Sequence, residues 1–203
     1  IRSSAPTAAT ASSPRCGPLA SEPMAALTWP DPLPQYGPVR LRPFAAGDLS
    51  LVAELAADPY IPLIGTVPAA FTRTAGAAYL ERQHQRLRDG QGWSFAVTDR
   101  ETDQAVGGAG LWLQNGATAT AGYAVAPPYR NHGYATAALR ALTAFAAIRP
   151  DLARIELLIE PANLASIAVA RRCGYQEAGL VPAHTEIAGR RREMLRFVAH
   201  VLR

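Results

Sequence analysis

Residues 123–139 read as a strand that leads into a glycine-opened helix, and this segment is well suited to bind an anion. An apolar stretch passes through Pro127 and Pro128 to Arg130 and Gly133, and an alanine-rich run follows. The first turn of a helix leaves backbone N–H groups without intrahelical partners, and the helix dipole adds partial positive charge there. Gly133 has no Cβ and lets a ligand approach the backbone, while Arg130 adds a planar cation. The alternative is an ordinary strand-to-helix connection with a surface arginine.

Two well-known phosphate-binding loops do not fit these residues. A P-loop needs Gly-x-x-x-x-Gly-Lys-Ser/Thr and the dinucleotide fingerprint needs three spaced glycines, whereas this segment has one glycine and no lysine. The segment does resemble the Arg/Gln-x-x-Gly-x-Gly/Ala pyrophosphate loop of the GCN5-related N-acetyltransferases (GNAT). The matching residues are Arg130-Asn131-His132-Gly133-Tyr134-Ala135.

A second segment strengthens the resemblance. Residues 154–160 read as a strand, and Asn163 and Ser166 precede a helical run that ends at Gly174. One branch of the family contains the ribosomal-protein N-terminal acetyltransferases RimJ and RimL. In that branch a strand is followed by Asn-x-x-Ser, a short helix and Cys/Asn-Gly-Phe/Tyr, here Cys173-Gly174-Tyr175, and Gly122-Tyr123 matches the strand before the loop. Because the matches follow the family's order, the chain is identified as a RimJ/RimL-like member.

The resemblance implies a site for acetyl-CoA, or for a larger acyl-CoA such as succinyl-CoA, where the strand ending near Val125 diverges from the strand ending near Glu160. The Val125 N–H would polarise the thioester carbonyl. Ser166 would either protonate the departing thiolate or only hydrogen-bond within the first turn of its helix. Asn163 would either bind the pantetheine arm or only cap the helix. The implied catalytic residues are Ser166, Val125 and Glu160. The implied cofactor-binding residues are Tyr123, Val125, Arg130, Asn131, His132, Gly133, Tyr134, Ala135, Thr136, Asn163 and Ser166.

The general base has no occupant at its usual place in the family. Many relatives carry a glutamate on the strand before Gly122-Tyr123, whereas this chain has Ala119-Thr120-Ala121. The open alternatives are Glu160, His84, His184, a chain of waters, or an amine that arrives neutral. Two classes of function therefore follow. The first is transfer of an acyl group to a primary amine, either a peptide N-terminus or a small molecule, and the second is a non-catalytic acyl-CoA sensor.

Composition and charge are typical of a globular protein. The 203 residues are 49% hydrophobic and 18% charged. The formal net charge is +4, and all 20 basic residues are arginines. Apart from Arg171-Arg172 and Arg190-Arg191-Arg192 they are scattered, without interleaved aromatic residues, which argues against nucleic-acid binding. Four histidines and two distant cysteines have no metal-ligand spacing, so no metal is expected. Two cysteines and no membrane-length apolar run favour a cytoplasmic protein without a membrane partner.

The elements that must position these residues follow the family's order, β-α-α-β-β-β-α-β-α-β-β. The predicted class is α/β (α+β), with a mixed, mostly antiparallel sheet of six to seven strands and about four helices. A V-shaped splay is predicted between the fourth and fifth strands, 117–125 and 154–160. Residues 1–37, rich in Ala, Ser and Pro, predict a tail before an acyltransferase domain over 38–203. Asp48 is predicted to cap the first helix, and residues 59–71 are predicted to line the acceptor site. A homodimer is a possible oligomeric state.

Overall fold

One mixed sheet of eight strands dominates the described part of the chain. The structure is a computed structural model that describes residues 27–187 and 190–201, with side chains omitted over 183–190. The strand order is β1-β2-β3-β4-β5-β6-β8-β7, and only the β5–β6 pair is parallel. The strands are β1 Gln35–Tyr36, β2 Val39–Pro43, β3 Gly92–Asp99, β4 Ala105–Gln114, β5 Thr118–Val125, β6 Arg154–Ile159, β7 Gln176–Ile187 and β8 Arg190–His200.

Five α-helices cover the two faces of the sheet within the described residues. They are α1 Leu49–Ala56, α2 Ile61–Ile64, α3 Arg73–Arg88, α4 Tyr134–Ala147 and α5 Leu164–Arg172. Residues of α1, α2 and α3 form one buried cluster with Phe44 and Ala96. Residues of α4 and α5 pack into a second, larger cluster with alternate residues of the central strands, because successive side chains of a strand point to opposite faces.

The predicted fold class is confirmed, with two corrections in number. The sheet has eight strands rather than six to seven, because the two-residue strand β1 pairs with β2 and is too short to show an alternating pattern. There are five helices rather than about four, because the Pro-interrupted loop over 59–71 contains the single turn α2. The divergence lies between β5 and β6, which correspond to the predicted fourth and fifth strands.

Residues 27–36, which were predicted to belong to the tail, contact the domain. Leu27 and Trp29 pack against the larger buried cluster. The Trp93 indole N–H donates to the Thr28 carbonyl oxygen at 2.9 Å, and the ring centroids of Trp29 and Phe95 are 5.4 Å apart. The boundary at residue 37 itself stays a prediction.

Local capping explains where two of the helices begin. The Thr72 hydroxyl accepts from the Ala75 N–H at the start of α3, and the Asn163 side chain accepts from the Ser166 N–H at the start of α5. Asp48 is the N-cap residue of α1, as predicted, but its side chain makes no cap hydrogen bond to that helix. The buried Asp48 carboxylate instead accepts from the Ala45 N–H and from the Arg42 guanidinium.

Candidate functional site

The loop between β5 and α4 has the backbone geometry of an anion cradle. Asn131 and Gly133 have φ angles of +66° and +80°, and Gly133 is the N-cap of the 14-residue helix α4. These left-handed residues turn the chain sharply into the helix, so that its first N–H groups face outward. A Cβ placed on Gly133 would meet no heavy atom within 4 Å. The space in front of this helix start is therefore open to a ligand, and the residues fit a pyrophosphate group.

Arg130, which was predicted to assist in holding the pyrophosphate, makes two hydrogen bonds within the protein. Its Nη2 donates to Asp58 Oδ2 at 2.7 Å, and its Nε donates to the Val125 carbonyl oxygen at 3.1 Å. Burial by itself would raise the pKa of Asp58, but N–H groups of Ile61 and Tyr60 and the Arg130 guanidinium hold it below its usual value. Arg130 thus ties the anion cradle to the segment between α1 and α2.

Three other residues of the predicted loop make contacts within the protein, two through side chains and one through its backbone. The Tyr134 hydroxyl donates to Asp99 Oδ2 at 2.8 Å, which tethers its ring to the end of β3. His132 is exposed, and its ring lies 6.1 Å from that of Tyr134. The Thr136 carbonyl accepts from the Cys173 thiol at 3.6 Å. Any contribution of Asn131 to Thr136 to phosphate binding is therefore expected from their backbone N–H groups.

Strands β5 and β6 are paired at one end only. Their parallel register runs from Thr118 opposite Arg154 to Thr120 opposite Glu156, and stops there. The Ala126 N–H donates to the Val106 carbonyl on the β4 side. Because backbone groups of successive strand residues point to alternate edges, the N–H groups of Val125 and Tyr123 face the gap. The predicted splay is confirmed, and it exposes the backbone that was expected to receive a pantetheine arm and a thioester carbonyl.

A carboxylate lies at the far end of this gap. The Tyr60 hydroxyl donates to Glu160 Oε2 at 2.9 Å, and Arg192 Nε lies 3.8 Å from Oε1. The Glu160 side chain is only 13% exposed. Burial, followed by the hydrogen bond and charge of Glu160, raises the pKa of Tyr60 to about 12. Tyr60 therefore stays protonated at neutral pH and holds the carboxylate as a donor.

Helix α5 closes the same gap from the other side. Asn163 Oδ1 accepts from the Ser166 N–H at 3.0 Å, so this residue does cap the helix. The Ser166 carbonyl accepts from the Tyr123 hydroxyl at 3.3 Å, and burial raises the pKa of that phenol to about 12. Asn163 and Ser166 both line the cavity described next. The hydrogen bond that caps the helix is therefore compatible with the ligand-binding roles predicted for the two residues.

A cavity of about 760 Å³ extends from the splay across the face of the sheet covered by α1 to α3. Its floor is the indole of Trp112, which lies over two glycines. A Cβ on Gly110 or Gly122 would stand 2.3 or 2.9 Å from indole carbons, so both positions must lack a side chain for the ring to lie there. Glu160, Asn163 and Ser166, which follow β6, line one end, and residues of α3, which packs against β3 on the other side of β4 and β5, line the other.

Several residues considered from the sequence lie outside this cavity. His84 bonds the Phe44 carbonyl through Nε2 at 2.9 Å and contacts Trp29 edge-on, which argues against the alternative that it acts as the base. Tyr175 is buried and shares a hydrogen bond with Thr143. Burial raises the pKa of the half-buried Cys173 thiol, which argues against a nucleophile. The side chain of His184 is not among those described.

Sequence reasoning missed two cavity residues, Tyr60 and Arg86. Tyr60 falls within the loop assigned to the acceptor, but nothing in a loop sequence indicates that its hydroxyl meets a carboxylate 100 positions away. Arg86 sits on α3, where an arginine ordinarily faces solvent. The positions of Arg86, Gln83, Ser94 and Trp112 in the sequence form no recognisable pattern. Nothing in the sequence therefore indicated that Arg86 would line a cavity.

Two parallel strands diverge here, and a helix that begins after a glycine follows the first of them. This arrangement defines a class of domain that binds a phosphate-bearing ligand between the separated strands. Residues 39–176 match the family described as acetyltransferase (GNAT) domain. The chain belongs to this family.

One curated protein is similar to this chain in sequence, and two solved structures are similar to it in fold. An uncharacterized N-acetyltransferase p20 of Bacillus licheniformis is 29% identical over 104 residues, covering 50% of this chain and 58% of that protein, so only part of this curated relative is matched. RimJ of Mycobacterium smegmatis, solved in complex with CoA-disulfide, superposes with a TM-score of 0.72 at 24% identity, covering 85% of this chain and 90% of that one. Spermidine N-acetyltransferase of Vibrio cholerae, with CoA and spermine, gives 0.66 at 19% identity, covering 80% and 95%.

Two features are absent from the described residues. No helix there is both long and apolar enough to cross a membrane. No group of three or more His, Cys, Asp or Glu side chains in the same part of the chain could hold a metal ion.

Proposed function

We propose that the protein is an acyl-CoA-dependent N-acyltransferase that transfers acetyl from acetyl-CoA to a primary amine. The observation that carries this proposal is the placement of the open helix start at Gly133 directly after the strand whose backbone faces the splay. Bound acyl-CoA would supply an activated thioester carbonyl. The amine acceptor, a peptide N-terminus or a small molecule, enters the cavity from the side of α1 to α3.

Three groups of the chain have proposed roles in the transfer. The Val125 N–H donates to the thioester carbonyl oxygen, a role that a fixed backbone donor fills without reorganisation. Ser166, on the first turn of α5, gives its hydroxyl proton to the thiolate as it leaves and takes the second proton of the attacking nitrogen in return. The N–H groups of residues 131–136 hold the pyrophosphate, and Arg130 keeps this loop in place through Asp58 rather than by touching the phosphates.

Glu160 is the proposed general base, in place of the glutamate that this chain lacks before Gly122. Its carboxylate lines the cavity and is oriented by the Tyr60 hydroxyl. An ammonium group entering the cavity gives its proton to Glu160, and the neutral amine then attacks the carbonyl. The weak contact with the exposed Arg192 at 3.8 Å leaves the carboxylate free to accept.

Substitution of Glu160 tests this proposal. With Glu160→Gln we expect kcat/KM at pH 7 to fall by about 10²- to 10⁴-fold, the usual contribution of a general base. For a peptide amine with a pKa of about 8, the loss shrinks at pH 9, since the acceptor is then already neutral. Acetyl-CoA binding, measured by calorimetry, stays within about twofold because the pyrophosphate cradle is untouched.

A matched control is Glu156→Gln, on the strand β6 that Glu160 directly follows. Glu156 pairs with Arg154 at 3.1 Å and does not line the cavity, so this variant keeps wild-type rates. A loss in Glu160→Gln that is the same at pH 7 and pH 9 would contradict the role as base. Tyr60→Phe removes only the orienting hydrogen bond and is expected to lower kcat by about tenfold.

A second candidate function, an acyl-CoA sensor without turnover, is favoured by the absence of the usual glutamate. Labelled acetyl-CoA and a panel of amines separate the two. Binding of acetyl-CoA without transfer to any amine supports the sensor, whereas transfer that depends on Glu160 supports the enzyme. The acyl-group preference, a cytoplasmic location and a homodimer stay predictions.

A further inference from the structure

The end of the cavity opposite Glu160 contains an arginine that has no carboxylate partner among the described side chains. Arg86 projects from α3 over the Trp112 indole, with its guanidinium carbon 5.3 Å from the ring centroid. Its Nη1 donates to Gln83 Oε1 at 2.8 Å and to Ser94 Oγ at 3.3 Å, and its Nη2 donates to Thr66 Oγ1 at 3.3 Å. We call these four residues, Arg86, Gln83, Ser94 and Thr66, the Arg86 cluster.

All three acceptors in the Arg86 cluster are neutral oxygens. A guanidinium has five N–H donors, so these three bonds leave two donors for a further acceptor. Burial, and next the neighbouring charge of Arg82, lower the pKa of Arg86. Gln83 and Ser94 are each only 2% exposed, so the cation lies against the dry wall of the cavity. Such a charge is stabilised when an anion binds beside it, because its lost hydration is then compensated.

The geometry points to a binding site for the anionic group of the acceptor at the Arg86 cluster, with the acceptor's amine at Glu160. The acceptor class is an amine that carries a carboxylate or phosphate, in contrast to a polyamine. This inference rests on the proposed function, because it takes the acyl group to be delivered at the splay. It adds a substrate class that the anion cradle and the base do not specify.

The distance from the Arg86 cluster to the reacting thioester limits the acceptor further. Ser94 pairs opposite Gly110, which pairs opposite Gly122, and Trp112 covers both glycines. The Arg86 guanidinium lies over the Trp112 ring, which covers Gly122, and Gly122 precedes Val125 by three residues. The guanidinium and the thioester carbonyl proposed to bind the Val125 N–H are therefore separated by roughly 10 Å along the strand. The carboxylate of a free α-amino acid lies only about 3 Å from its nitrogen and cannot span this length. An acidic side chain two residues after a peptide N-terminus, or a long ω-amino acid, spans it.

Two matched pairs of acceptors test the anion site. The first pair is the tripeptide amides Ser-Ala-Glu and Ser-Ala-Gln, and the second is 8-aminooctanoate and its primary amide. In the wild-type protein we expect kcat/KM to be at least about tenfold higher for the anionic member, the gain from one hydrogen bond to a charged group. A preference confined to the peptide pair identifies a peptide N-terminus, and one confined to the other pair identifies a small molecule.

Variants on α3 assign the preference to one side chain. Arg86→Gln is expected to reduce the anionic-to-neutral ratio to within about twofold, and Arg86→Lys to keep part of it through its charge. The matched control is Arg82→Gln. Arg82 lies one turn earlier, donates to the Thr66 carbonyl at 2.8 Å, contacts the Tyr79 ring and does not line the cavity. This control keeps the wild-type ratio. If Arg86→Gln fails to fold, the comparison of Arg86→Lys with Arg82→Gln carries the assignment.

A binding measurement separates this inference from the proposed function. The N-acetylated forms of both pairs are titrated into CoA-loaded protein by calorimetry, which needs no turnover. Tighter binding of the anionic form that is lost in Arg86→Gln supports the anion site even if no amine is acetylated, in which case only the proposed function fails. Equal rates and equal affinities for both members of both pairs overturn the anion site and leave the acyl transfer standing.

Discussion

Replacing Gly133 by alanine probes the anion cradle with little disturbance of packing. Gly133 has φ +80° and ψ −2°, and a Cβ there would meet no heavy atom within 4 Å. The cost to folding is therefore backbone strain alone, about 1–2 kcal/mol for an L-residue in the left-handed region. For a domain of this size that corresponds to a decrease in Tm of roughly 2–8 °C.

The effect of Gly133→Ala on the donor is expected to be larger than its effect on folding. The added methyl group occupies the open space in front of α4, where the N–H groups would meet the pyrophosphate. Loss of one charge-assisted hydrogen bond costs about 1.5–3 kcal/mol, which corresponds to a roughly 10- to 100-fold rise in the Kd for CoA and in the KM for acetyl-CoA. Calorimetric titration with CoA gives the first quantity, initial rates give the second, and scanning calorimetry gives Tm.

Gly116→Ala is the matched control. Gly116 has φ +75°, also has no heavy atom within 4 Å of a Cβ, and lies in the turn before β5. It is roughly 25 Å from Val125 along the strand, so it carries the same strain without approaching the cradle. Equal decreases in Tm and unchanged CoA affinity in both variants would refute the assignment of residues 131–136 to the pyrophosphate.

Three further changes test separate parts of the site. Ser166→Ala should lower kcat by about 10- to 100-fold with the KM for acetyl-CoA unchanged. A normal kcat would show that Ser166 only contributes to the first turn of its helix. Asp58→Asn removes the charge paired with Arg130 and should cost about 1 kcal/mol in urea unfolding at pH 7. Folding lowers the pKa of Asp58, so that stabilisation is present above the ordinary aspartate pKa of about 4 and is lost as the pH falls below it. A difference in unfolding free energy between wild type and Asp58→Asn that persists at pH 2 would contradict the ion pair. Gly122→Val should displace Trp112 and raise the acceptor KM while CoA affinity stays normal, which rate and titration measurements resolve.

The donor side of the site could be predicted from sequence because its parts are local. A glycine before an alanine-rich run predicts a left-handed residue at a helix start, and Gly133 has that conformation. An asparagine three residues before a serine predicts a helix cap, and Asn163 bonds the Ser166 N–H. Each of these depends on interactions within a few residues, so a short sequence window contains the information.

Some features were not predicted, although they also depend on residues that are close in sequence. A strand of two residues, Gln35–Tyr36, has no alternation to detect, and its existence depends on pairing with β2. The turn α2 lies in a stretch where proline argues against a helix, yet Pro62 stands in its first turn, where proline is tolerated. Asp48 has the residue type of a cap, but the Arg42 guanidinium competes for its carboxylate.

The sequence by itself determined the family, the order of the elements and the backbone that would hold the acyl donor. Only the tertiary structure decided that Arg130 pairs with Asp58, 72 positions away, that Tyr60 holds Glu160, and that Arg86 faces a cavity floored by Trp112. The physical reason is the range of the interactions. Helix starts and caps are set by neighbouring residues, whereas the partners of a charged side chain depend on which strands and helices pack together. The donor site is therefore readable from the chain, and the acceptor site is created by the fold.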